Sequence, residues 1–447
     1  MDTRKSRPDD STVPPQRAAP EDPRERGRER TPGRWRRWSM DTRPLRRPAY
    51  RRMWCSTIAT SVGSQLTAVA VPKQVYDITG SSAWVGYAGL AGLLPLIVFA
   101  VWGGAVADRM DRRRLLLITD TGLAVTSVLL WAQALAGLDS VPVLMVLLAV
   151  QQAFFGLGSP TRTASIPRLV PAGEVPAANA LGSTVSQTGM LVGPLLAGAL
   201  IPLIGLAELY LLDSVALCAA VWADWRLPAL PPLTGPGADT TSGRPRSGWR
   251  EIAAGFRYLS RHKVLLLSFV ADVIAMVFGM PRALFPQLAS ETFAPWGTGF
   301  ALGLLFAAIP VGAVLGGLMS GTFSHARRHG LMVLCAVAAW GVSITGFGLS
   351  AALWPALAFL VAAGVADMVS MVFRQAILLS AATDAMRGRL QGVFTVVVAG
   401  GPRLADALHG SIGAALGPRT AIAGGGVLVV LLTLALALVP ALRRYKV

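Results

Sequence analysis

The chain is poor in charge, cysteine and histidine, and each shortage excludes a class. Only 15% of its 447 residues are charged, against roughly 25% in a soluble domain. A water-exposed globule of this length is therefore excluded. Three cysteines, Cys55, Cys218 and Cys335, each lie in apolar sequence. No CxxC or Cys/His spacing accompanies them, so neither a disulfide framework nor a zinc site is expected. Four histidines supply no nucleophile-base constellation and no metal cluster. His325 and His329 stand i, i+4, as a metal pair would, but no third ligand accompanies them. No Gly-x4-Gly-Lys-Ser/Thr loop occurs, so no ATP chemistry is expected. No cofactor is called for, and an enzyme is not expected. No cleavable signal peptide is evident, because the first apolar stretch follows a long polar tail and exceeds a signal core.

What remains is abundant apolar sequence, 53% of the chain. It falls into twelve segments, at about 54–76, 83–106, 115–136, 141–158, 178–204, 207–226, 264–287, 298–322, 331–350, 353–377, 390–415 and 420–441. Each approaches the roughly 20 residues that cross a bilayer as a helix. The net charge of +17 does not mark a nucleic-acid protein. Its arginines sit in the N-terminal tail and in alternate loops rather than on one soluble face. Arg109 to Arg114, Arg162 with Arg168, Arg244 to Lys263, Arg327 with Arg328, and Arg387 with Arg389 mark every second loop. The intervening loops carry almost no Lys or Arg, Arg419 excepted. Basic loops stay cytoplasmic, so both termini are expected inside the inner, or plasma, membrane.

The spacing divides the chain into a disordered basic tail, 1–50, six helices over 51–226, a linker over 227–262, and six helices over 263–447. The tail either contacts anionic lipid through its arginines or is simply solvated. The linker opens on prolines and glycines. Its end, Trp249 to His262, reads as a basic amphipathic helix with Phe256 and Leu259 on one face, or as a polar connector.

Residues 103–115 read Gly-Gly-Ala-Val-Ala-Asp-Arg-Met-Asp-Arg-Arg-Arg-Leu. They resemble the Gly-x-Leu-Ala-Asp-Arg-x-Gly-Arg-Arg loop of the major facilitator superfamily. Val106 stands for its Leu and Asp111 for its second Gly. The resemblance implies a gate built on Gly104, Asp108, Arg109, Arg112 and Arg113. Asp120, one and a half turns after that loop, would latch it through Arg109 or Arg113. Gly189-Met-Leu-Val-Gly193-Pro194-Leu-Leu-Ala197-Gly198 resembles the fifth-helix motif of exporters and antiporters in that superfamily, with Ala197 for one Gly. Gly401-Pro402-Arg-Leu-Ala405 echoes it in the second half, as expected of parallel repeats.

Three more stretches narrow the resemblance to the enterobactin-exporter-like branch, which includes actinobacterial drug-efflux pumps. They are Pro160-Thr-Arg162-Thr-Ala-Ser-Ile-Pro167-Arg-Leu-Val-Pro171 with Ala178-Asn179-Ala180-Leu181 after it, Tyr76-Asp77-Ile-Thr-Gly80-Ser81, and Gly279-Met-Pro281-Arg-Ala-Leu-Phe-Pro286. Arg387-Gly388-Arg389-Leu390 before the eleventh helix fits as well. Over about 45–442 this resemblance implies an all-α membrane protein of two pseudo-symmetric six-helix domains. It implies proton-driven export of siderophores or amphipathic drugs by alternating access. An importer of the same fold and a non-transporting sensor are the alternatives. Partners would be a small cargo, protons and lipid, with the chain a monomer.

Charges inside spanning segments mark ion or substrate paths. Asp406 and Asp272 read equally as proton carriers and as fixed ion pairs. Arg403 and His409, three residues either side of Asp406, would share its side of the helix. Asp213 and Asp367 read first as structural charges.

Overall fold

The computed structural model describes residues 41–107, 109–232, 248–323, 326–381, 384–443 and 445. Asp108 and His325 lie outside them, as do the surroundings of Gly104 and the side chains of Arg387 and Arg389. Every regular element among the described residues is helical. In lipid no water satisfies the backbone, so apolar runs of this length fold as helices, which bond internally.

The elements are α1 (Pro48–Thr79), α2 (Ser82–Ala107), α3 (Arg112–Leu135), α4 (Val141–Leu169), α5 (Val175–Trp225), α6 (Gly248–Arg261), α7 (Lys263–Gly279) and α8 (Phe285–Glu291). They continue as α9 (Thr298–Leu318), the one-turn α10 (Ser320–Phe323), α11 (His329–Leu349), α12 (Leu353–Ala381), α13 (Asp384–Leu416), α14 (Pro418–Ala437) and the one-turn α15 (Pro440–Arg443). Prolines open α1, α4, α5 and α14, where the missing N–H is not needed. α1 ends at Gly80, whose φ of 61° is left-handed and whose N–H returns to the Tyr76 carbonyl. α5 contains two passes. Gly205, at φ 87° and ψ 176°, breaks it where the apolar pattern also breaks. α7 and α8 form one pass interrupted at Met280 and Pro281.

Nine stretches are long and apolar enough to cross a membrane among the described residues. The stretch over 172–225 holds two passes, and the more polar α1 and α13 complete the twelve. Large apolar side chains such as Leu94, Leu203 and Leu318 point outward, as lipid demands and water would penalise. Exposed Trp84, Trp296 and Trp354 ring one end, and Trp102, Trp222 and Trp225 the other, where amphipathic rings meet headgroups.

Residues 42–447 form one compact unit. α1 packs on α5, α2 on α4, and α3 on α5; likewise α11 packs on α12 and α14, and α9 on α12. The two sets meet where α2 crosses α13 and α5 crosses α9.

Two expected boundaries move. Arg43–Arg46 form a 3-10 turn and α1 starts at Pro48, so the first helix takes in residues assigned to the tail. The reason is Tyr50, which is fully buried and donates its hydroxyl to the Ala178 carbonyl at 2.7 Å. Leu227 and Leu230 are also buried, placing the first residues assigned to the linker in the first half's core. α6 is a helix against α13 and α2. Leu259 is buried there while Phe256 is 44% exposed, so the two do not share the packed face.

Candidate transport cavity

α1 carries Thr57, Thr60, Ser61, Ser64 and Gln65, spaced as one face of a helix. α5 carries Asn179, Gly182, Ser183, Ser186, Gln187 and Met190 in the same rhythm. Both stripes line one cavity of about 940 Å³, completed by Asp120 and Leu123 of α3, Phe155 and Arg162 of α4, and Met371 of α12. Hydroxyls and amides on apolar walls suit a cargo that both stacks and hydrogen-bonds. These stripes went unread in the sequence, although their spacing within apolar helices was the available signal.

The cavity lies at the end of the bundle that carries Arg109 to Arg114, Arg162 and Arg168. The opposite end is sealed. There a Cβ on Gly198 would come 2.5 Å from the Gly303 Cα and 2.7 Å from the Gly299 carbonyl, so the α5–α9 crossing is backbone against backbone. Ser82 donates to the Gly410 carbonyl at 3.0 Å, joining α2 to α13. Tyr76 donates to Glu291 Oε1 at 2.6 Å, joining α1 to α8.

The fifth-helix motif serves two contacts. Gly189 and Gly193 let α5 seat on Ser61 and Gln65 of α1, and Pro194 with Gly198 borders Gly303 of α9. In the arginine loop, Asp111 caps α3 by accepting from the Arg113 and Arg114 backbone. Its other oxygen accepts from Leu230 N at 3.1 Å, and Arg112 donates to the Ala164 carbonyl. Arg113 donates to the Trp225 carbonyl. The residue that departs from the superfamily pattern therefore ties the loop to the chain leaving the first half.

Asp120 does not pair with Arg109 or Arg113. It lies deeper, 1% exposed, and both its oxygens accept from Arg162 Nη2, at 2.8 and 3.0 Å. Arg109 is exposed. Arg162 also donates to Ser56 at 2.9 Å and approaches Asp224 at 3.8 Å. Asp224 was not singled out from sequence.

Asp272 of α7 is ion-paired with Arg374 of α12, which also reaches Asp367 at 3.6 Å. Asp213 takes a different structural role: it is held by hydroxyls, accepting from Thr67 and Ser127, each at 2.7 Å. Asp406 does not line the cavity. It sits in the α2–α13 crossing, with Gly89 facing its carboxylate and Gly86 its backbone, and with Arg282 and Arg403 nearby. Arg403 donates to the Gly89 carbonyl at 3.2 Å. His409 leaves this group. It contacts the Phe278 carbonyl at 3.0 Å and packs on Gly425 of α14. Each three-residue step turns a helix about 300°, so two steps carry His409 some 120° away from Arg403. His329 stacks edge-on near Phe373, and no metal-ligand group occurs among the described residues.

Residues 39–446 match the family described as "Transmembrane secretion effector". The enterobactin exporter EntS of Shigella boydii serotype 18 is 29% identical over 409 residues, 89% of this chain and 94% of that one. EntS of Citrobacter koseri is 28% identical over 404 residues, with the same shares. The nucleoside transporter NupG superposes with a TM-score of 0.71 at 13% identity, over 89% of this chain and 100% of that one. A bacterial homolog of the human lysosomal transporter Spinster, solved inward-facing and unoccupied, gives 0.69 at 14% identity, over 90% and 98%. At such identities the two structures speak for the fold alone.

Proposed function

The chain belongs to the transmembrane secretion effector family, multi-pass major facilitator transporters related to enterobactin exporters, and from that premise we propose that it exports a small organic cargo in exchange for protons. The observation that carries this reading is the cavity between the stripes of α1 and α5, reached from the basic end and sealed at the other. A basic end belongs in the cytoplasm. Cargo therefore enters from inside, the basic end closes, and the α5–α9 and α2–α13 crossings part to release it. No nucleotide is needed, since an inward proton gradient can drive the cycle.

The cargo combines aromatic or aliphatic surface with hydroxyl and amide groups, a description that covers catecholate siderophores. Phe155, Trp54 and Met190 offer the apolar walls, and Ser, Thr, Asn and Gln the hydrogen bonds. The loop containing Gly104, Asp108, Arg109, Arg112 and Arg113 gates the basic end. Support comes from Arg112 and Asp111, which bond the loop to α4 and to the chain beyond α5. Asp120 contributes through Arg162 instead of through the loop. Gly189, Gly193, Pro194 and Gly198 keep α5 close enough to its neighbours for the seal to form.

Everted vesicles test the proposal. Enterobactin should accumulate uphill in vesicles acidified inside, and collapse of the proton gradient should release it. Accumulation without any gradient dependence would remove proton coupling. Accumulation only in right-side-out vesicles would make the protein an importer.

A further inference from the structure

One guanidinium faces two carboxylates at the cavity wall. Asp120, Arg162 and Asp224 come from α3, α4 and the last turn of α5. Asp120 is 1% exposed and Asp224 0%. Asp120 has the close contact with Arg162, at 2.8 Å, and Asp224 stands at 3.8 Å. Both oxygens of Asp224 are buried without a hydrogen-bond partner. Ser56 of α1 accepts from Arg162 and donates to Asp120 at 3.3 Å.

The neighbouring cations are committed elsewhere. Arg52 of α1 donates to the Arg226 carbonyl at 2.6 Å, and Arg113 of α3 to the Trp225 carbonyl. Arg226 lies over the Trp222 ring at 4.1 Å. Thr57 of α1 also touches Arg162, at 3.3 Å. Among the described residues Arg162 is the cation within 4 Å of both acids.

Fully ionised, this cluster holds an excess negative charge in a buried site, which is costly. One added proton makes it neutral, and two adjacent carboxyls hold such a proton as a pair. We propose that Asp120 and Asp224 form a one-proton site, and that cargo in the cavity displaces that proton. Asp120 and Arg162 line the cavity, so a donor group of the cargo can take the lone pair that the proton occupies. The carboxyl O–H bond then breaks, its electrons stay on oxygen, and the proton leaves through the open basic end. This deepens the exchange reading by naming where the proton sits, in place of Asp406 and Asp272.

Infrared difference spectra of the full chain in lipid nanodiscs count protonated carboxyls without any cargo. Asp120→Asn and Asp224→Asn should each lose the same carboxylic C=O signal, because either change leaves one acid for one arginine. Asp224→Glu should restore it. Retention of the wild-type signal in either Asn variant overturns the site. For the unaltered protein, adding enterobactin in weak buffer should release one proton per molecule bound; binding without release also overturns it. If enterobactin does not bind, the cargo reading falls, and the infrared comparison still decides the proton site.

Discussion

Asp120 was expected to latch the arginine loop and instead grips Arg162, and its environment explains both facts. It lies far enough into α3 to face α1 and α4, out of reach of the loop it follows in sequence. That partner is 42 positions away, a distance that periodicity on one helix cannot report. Asp120→Ala removes the close hydrogen bonds to Arg162 but leaves Asp224 as its partner, so it should be destabilising by about 1.5–3 kcal/mol, the usual worth of a hydrogen bond to a charged group. Thermal unfolding in detergent would show it, and adding Arg162→Gln, which strands buried Asp224, should deepen the loss. A melting point unchanged by Asp120→Ala would mean that Arg162 is satisfied without it. Asp224 escaped notice because it closes an apolar helix, where a terminal Asp usually faces water. Asp111 looked like a departure from a pattern, yet its side chain caps α3 and holds Leu230. Buried single charges were legible as charges, but their partners were not.

At the scale of elements, the sequence revealed more. The gap between the apolar segments ending at 204 and starting at 207 falls on Gly205, where the backbone turns through positive φ. The segment drawn over 264–287 hides a break at Met280, because residues 280–281 interrupt the helix without interrupting the apolar run. The glycine-rich stretch of α5 was read as a close helix crossing, and the geometry assigns each glycine a neighbour: Ser61, Gln65 or Gly303. Gly198→Ala should already slow turnover, since its Cβ would meet backbone, which cannot swing aside. Gly198→Leu should abolish efflux while the protein still inserts. Efflux assays beside membrane quantification would check both, and normal efflux by Gly198→Leu would show that the crossing loosens freely. Gly193→Leu should also fail, because the added side chain would meet Gln65 of α1.

Among the described residues the tightest joints across the halves lie at one end, in close backbone crossings and a few hydrogen bonds such as Tyr76 to Glu291. Tyr76→Phe removes one neutral-to-charged bond, worth about 1.5–3 kcal/mol, and should shift the population toward the form open at that end. Cysteine labelling near the seal should then rise; an unchanged rate would show the bond is incidental. Orientation has its own check. Cysteines at Arg114 and Leu138, which flank α3, should react with impermeant reagents from opposite sides. The count of two acids to one arginine reaches further, into voltage. With its proton the cluster is neutral, and without it the cluster carries one negative charge, so a cycle exporting an uncharged cargo moves net charge across the bilayer. A membrane potential of 100 mV contributes about 2.3 kcal/mol per charge, equivalent to roughly a fiftyfold cargo ratio at about 1.36 kcal/mol per decade. A potassium diffusion potential imposed at equal pH should therefore drive accumulation by itself, and an exchanger that ignored it would be moving its proton against a compensating charge.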